Sequence, residues 1–266
     1  MPGDLTGVYL KIERAKAHLA ELQDSINTGF DPGSYRFSLE RDPQTDKHVL
    51  TVHDLPEIDP QWSLQAGDVV HNLRAALDHL AWQLVRLDKG TPGEHTQLPI
   101  RKSPFNQKGE RIPPQLNPAV QNPQILAALE EIQPYYRPNG DNLSTPHLSL
   151  LWRIHRLDII DKHRLLLVVR AVLNVGEMWW GEPLEGGKPD FKGTLEPVAE
   201  GAPVAWFDFH GAEPSADFDP HPSLAITMRE DEMIELRATP LAKFLDGLSH
   251  FVEWDIIDAH FRPLFP

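Results

Sequence analysis

Val8, Ile12, Ala15, Leu19, Leu22 and Ile26 recur at alternating spacings of four and three, which lays one apolar stripe along a helix near residues 5–28 that Gly29 ends. Beyond the turn signal Asp31-Pro32-Gly33 the period changes to two. Tyr35, Phe37 and Leu39 alternate with polar residues, a polar run spans 42–46, and Val49 to His53 follows, the pattern of a β-hairpin.

Ser63 is the expected N-cap of a long helix over 63–89, with Val70, Leu73, Leu77, Leu80 and Leu84 on its core side. Gly90 is expected in the left-handed cap conformation, and Pro92 prevents continuation. Thr91 to Asn122, rich in Pro, Gly, Gln and Asn, reads as a surface excursion, after which Pro123 opens a short helix over 123–133 that closes before Pro134.

A helix over 146–164 is apolar on nearly all sides and is therefore expected to be buried, feeding into Leu165–Leu173 as a central strand. Strands are expected at Val204–Phe209, Leu224–Met228 and Met233–Arg237, and Thr239-Pro240 starts a closing helix over 240–260. Helices and strands in blocks, without regular βαβ alternation, predict an α+β fold: a helical bundle packed with an N-terminal hairpin and a mostly antiparallel sheet. The expectation is one domain over 1–266, with a helical, motif-bearing part at 1–164 and a strand-rich part at 165–239 before the closing helix.

Composition narrows the chemistry. The 266 residues are 41% apolar and 24% charged, which is globular and large enough to bury a core without staples. No cysteine is present, so disulfides, thiolate nucleophiles and sulfur-ligated metals are excluded. A net charge of −14 with no Lys/Arg-rich run argues against double-stranded DNA as a partner. Met1–Leu10 has no basic segment followed by an apolar run, and the apolar stretch Leu165–Leu173 is short and broken by Arg170, so a cytoplasmic protein without membrane contact is expected. Phosphate-cradling loops, dinucleotide fingerprints and nucleophile-elbow serines are absent.

Two helical segments concentrate the reactive side chains. In 67–82, His71, Ala75, Asp78 and Trp82 follow one another at spacings of four, three and four, flanked by Asp68, Asn72, His79 and Arg74. A solvated face is dominated by Lys and Glu, so this one is expected to be covered by another element or a ligand. In 147–164, His155, Arg156, Asp158, Asp161, His163 and Arg164 crowd into an otherwise apolar helix, and Asp158 and Lys162 have the spacing of an ion pair.

If the two helices lie side by side, three outcomes are open. The cluster could do acid–base chemistry with His71, Arg74, Asp78, His79, His155, Arg156 and His163 as catalytic residues. It could instead hold a divalent metal through Asp158, Asp161 and His163, although no cofactor is required and no ligand signature such as His-Glu-x-x-His occurs. The third outcome is a satisfied polar seam with no chemistry. A non-catalytic module that binds a small molecule or protein is also consistent with the seven tryptophans, with Trp179-Trp180 as a lid.

The blocks Gly67-Asp-x-x-His-Asn-Leu-Arg-x-Ala-Leu-Asp-His-Leu-Ala81, Leu98-Pro-Ile100, Ile132-Gln-Pro-Tyr135 and Ile160-Asp-Lys-His-Arg164 resemble a family of uncharacterised bacterial proteins common in actinobacteria. That resemblance implies no activity. Arg74-x4-His79 and Arg156-x6-His163 also resemble the Arg-x4-6-His pattern of HEPN domains. Such a likeness implies metal-independent RNA cleavage in a homodimer, with histidine moving a proton and arginine neutralising phosphate.

Overall fold

The computed structural model describes residues 3–31, 33–116, 120–136, 146–166, 168–173, 189–194, 196–214, 218–220, 222–230 and 239–266. The fold is α+β. The chain divides into two compact units, Met1–Leu22 with Ser63–Leu166 and Phe244–Pro266, and Gln23–Trp62 with Leu167–Lys243. No linker composition marks the division, because each unit is assembled from segments far apart in the chain. The strands Met233–Arg237 and the pair Trp179-Trp180 lie outside the described residues.

The first unit is helical. Helix α1 (Thr6–Gly29) buries Val8, Ile12, Ala15, Leu19 and Leu22, the stripe read from the sequence. Helix α2 (Pro60–Leu87) buries Leu73, Leu77, Leu80 and Leu84 completely. It begins three residues before the expected cap. Asp59 takes that role, its carboxylate accepting from Gln61 N at 2.8 Å, and Pro60 supplies a fixed φ where an amide N–H would be unused. Ser63 is buried one turn inside the helix.

At the other end of α2 the left-handed residue is Lys89, with φ of 59°, not Gly90. Gly90 N donates to Val85 O at 2.8 Å and Lys89 N to Arg86 O at 3.0 Å, the paired bonds of a Schellman ending. Helix α3 (Pro123–Glu131) is capped by Asn122, which accepts from Gln124 N at 2.9 Å. Helix α4 (Leu150–Asp161) follows a 3₁₀ turn at Pro146–Leu148 and stops three residues short of the expected end. His163 N and Arg164 N both turn back onto Ile160 O, at 3.0 and 2.9 Å. Helix α5 (Leu241–His250) continues as a π-helical segment, Phe251–Phe261. That segment meets α1 through a Tyr9–Asp258 hydrogen bond and a Lys16–Glu253 ion pair at 2.8 Å.

The second unit holds the strands. The hairpin β1 (Arg36–Arg41) and β2 (His48–His53) is half of a four-stranded antiparallel sheet ordered β1-β2-β5-β4, with β4 at Asp190–Gly193 and β5 at Pro203–Asp208. One face packs aromatics edge to face, Phe207 and Phe209 each against Phe218 at 5.2 and 5.0 Å. Strand β3 (Val168–Leu173) pairs antiparallel with β6 (Ser223–Met228) and, among the described residues, has no second neighbour, so the central position expected for it is not observed. Trp62 is fully buried and donates to Ser25 Oγ at 3.0 Å. Among the described residues no helix is long and apolar enough to cross a membrane.

Candidate functional site

Helices α2 and α4 meet along a polar seam in the first unit, and three pairs order it. Asp161 lies over Gly67, Asp158 bonds to His71, and His155 feels the charge of Arg74. Positions rise along α2 as they fall along α4, so the helices run antiparallel. Steps of three or four residues return each helix to the same face, which is why the motif spacing in both segments produces rungs.

The middle rung pairs an imidazole with a carboxylate. His71 Nδ1 and Asp158 Oδ1 are 3.1 Å apart, with the imidazole 54% exposed and the carboxylate only 3%. The second Asp158 oxygen accepts from Lys162 Nζ at 2.6 Å, the i, i+4 pair that the sequence spacing predicts. A carboxylate on Nδ1 favours the tautomer with the proton there, so neutral His71 keeps its Nε2 lone pair. Buried acid behind exposed imidazole is the arrangement of an oriented general base.

The next rung is quieter. Arg74 is 5% exposed and its Nη2 donates to Asp78 Oδ1 at 2.7 Å and to Leu98 O at 3.0 Å, while Leu98 N donates to Asp78 Oδ1 at 3.0 Å. Arg74 Nη1 is buried and has no hydrogen-bond partner among the described residues. Burial raises the Asp78 carboxyl above its usual range, with Arg74 opposing the shift. Together these bonds seat the chain segment 98–101 on α2. Gln133 completes the anchorage, accepting from Arg101 N at 3.0 Å and donating to Pro99 O at 2.9 Å.

Across from Arg74, His155 is pushed down to about 4, first by burial and then by the Arg74 guanidinium, so it is neutral at pH 7. Its ring lies 5.3 Å from that of Trp152, over which Lys102 Nζ sits at 4.5 Å. At the far end of the seam, burial raises Asp161, and the Asp68 and Asp158 carboxylates raise it further. A Cβ on Gly67 would lie 2.1 Å from Asp161 Oδ1, so only glycine leaves the carboxylate its place.

Other predicted residues are not brought to this seam. His79 is exposed and faces α1, where a Cβ on Gly7 would stand 3.2 Å from its Nδ1. Five residues separate it from Arg74, about 140° around the helix, so the two side chains diverge. His163 is exposed beyond the end of α4, and the face it was expected to share with Arg156 does not exist. Arg156 is half-buried on α4 and has an interaction of its own. Asp158, Asp161 and His163 do not gather as a metal site; among the described residues no three His, Asp or Glu side chains do.

Sequence reasoning treated Leu98, Gln133 and Lys102 as loop or helix-end residues and passed over Arg153, an arginine buried in α4. A signal for the first two was present, since Leu98-Pro-Ile100 and Ile132-Gln-Pro-Tyr135 stand among the motif blocks, and the structure brings those blocks together at the segment 98–101. Compared with known proteins, the chain matches no family model, no curated protein and no solved structure.

Proposed function

We propose that the chain is an acid–base enzyme of the hydrolase type, in which His71, oriented by Asp158, takes a proton from water or a substrate hydroxyl. The single observation behind this reading is the contrast within the pair, an imidazole 54% exposed on a carboxylate 3% exposed at 3.1 Å. Asp68, Asp158 and Asp161 outnumber Lys162 at this end of the seam, which favours a small neutral or cationic substrate over a polyanion.

The test is hydrolysis of a panel of neutral esters and amides by the full chain, in the presence of EDTA. His71→Gln and Asp158→Asn should each lower kcat/KM by about 10²–10⁴-fold. Full activity in His71→Gln refutes the assignment, and so does a panel that is not turned over at all.

Metal-independent cleavage of RNA is the second reading, favoured by the placement of Arg74 beside a neutral His155 across the seam, a pair from two helices in place of the Arg-x4-6-His pattern within one. Cleavage of single-stranded RNA that survives EDTA, is lost in His155→Gln and persists in His79→Ala would carry it.

A further inference from the structure

We infer that the four-stranded sheet of the second unit carries a separate binding site, a groove that takes a neutral saccharide. The groove has a volume of about 430 Å³ and crosses β5 on the face opposite the Phe207 cluster. That volume is toward the lower end of the ~300–1,000 Å³ typical of ligand pockets and suits a short saccharide.

Its floor is Trp206, flanked across the ladders by Val49 on β2 and Lys192 on β4. One wall is the β1–β2 turn, which brings Asp42 and Lys47 to the rim. The turn is held by its own bonds: Asp42 accepts from Gln44 N at 2.9 Å and from Thr45 Oγ1 at 2.7 Å, and its backbone N donates to Lys47 O at 2.8 Å. The other wall is β4, which offers Asp190 and Lys192, while Phe191, paired with Phe207 and 6.3 Å from its ring, turns to the other face. Asp190 and Asp208 face each other across the β4–β5 ladder, an unfavourable placement for like charges unless something lies between them. His210 does, at 3.3 Å from Asp190 and 3.6 Å from Asp208, and Lys47 stands 3.8 Å from Asp208.

The lining sets aromatic surface beside both acceptors and donors, with three carboxylates and two ammonium groups close to balance. An anion would meet the carboxylates, and a small cation would meet the lysines. A sugar ring satisfies all three features, since its C–H face packs on an indole and its hydroxyls both donate and accept. Regular strands and a bonded turn hold the groove before any ligand arrives, which limits the ordering cost of binding.

The experiment is titration of the ¹⁵N-labelled full chain with cellobiose, maltose and chitobiose, with choline chloride and inorganic phosphate as the cationic and anionic probes. At least one disaccharide should shift the Trp206 indole N–H together with the Lys192 amide. Trp206→Ala should weaken that binding at least tenfold. Asp190→Asn, at an 83% exposed side chain where folding is not at risk, should weaken it several-fold. The proposal is overturned if no disaccharide moves these signals, if choline or phosphate moves them instead, or if Asp190→Asn binds as tightly as the parent.

Discussion

The carboxylate of Asp161 occupies the space that any side chain at position 67 would need. Glycine inside a helix ordinarily costs ~1 kcal/mol relative to alanine, so its presence in the middle of α2 requires a packing reason, and Asp161 supplies it. Gly67→Ala should therefore destabilise the fold by about 1–2 kcal/mol. In an Asp161→Ala background the same change should stabilise it by up to ~1 kcal/mol. Denaturant unfolding of the four proteins checks the reversal of sign.

The His155 ring gives the fold an acid sensitivity with a defined window. Its folded value of about 4 lies below the ordinary 6.5, so between those values the unfolded chain binds more protons and stability falls as the solution is acidified. Asp78 and Asp161 are shifted upward and act with the opposite sign, holding protons in the fold that the unfolded chain releases. The expected result is that His155→Gln flattens the loss of stability between pH 6.5 and 4, measured as the difference in Tm from the parent at each pH.

Tyr9 makes the matching prediction at alkaline pH. Burial and the bond to Asp258 raise its hydroxyl from 10.0 to about 12. Across that interval the unfolded chain ionises while the fold keeps its proton, so stability falls as pH rises. Tyr9→Phe should reduce that fall without abolishing it, because burial and the bond to Glu130 raise the Tyr135 hydroxyl as well, and ultraviolet difference spectra should show one late-ionising phenol fewer.

The segment 98–101 hangs on side chains from α2 and from the residues just after α3, and the two anchors should separate experimentally. Gln133→Ala should speed amide exchange at Arg101 and leave Leu98 protected, because Leu98 N is held by Asp78. Asp78→Ala should do the reverse. Loss of protection at both amides in either variant would show that the segment is held as one piece.

Local periodicity carried most of the fold into view. The stripe from Val8 to Leu22, the alternation at Tyr35–Leu39 and the Pro123 helix start all report contacts within one element, so the sequence is enough to place them. The differences come from competing local chemistry. Asp59-Pro60 outbids Ser63 as a helix start, and Lys89 takes the left-handed turn because Gly90 N closes the outer Schellman bond, which puts the left-handed position one residue before Gly90.

The site was legible in its residues but not in its pairing. His71, Arg74, Asp158 and Asp161 stand out by type, yet which of them face each other depends on the antiparallel alignment of α2 with α4. Arg74 and His79 show the limit of reading a motif by spacing, since five positions on a helix send two side chains to different neighbours. The fit of Asp161 on Gly67 becomes meaningful only with both helices present.

Because Leu98 and Arg101 take their bonds from Asp78 and Gln133, they do not depend on an unbroken backbone beyond them. A protease cut in the tight turn between Asn106 and Glu110 should leave both ends seated and the two fragments associated. The polypeptide could thus be expressed as two co-folding halves split at that turn.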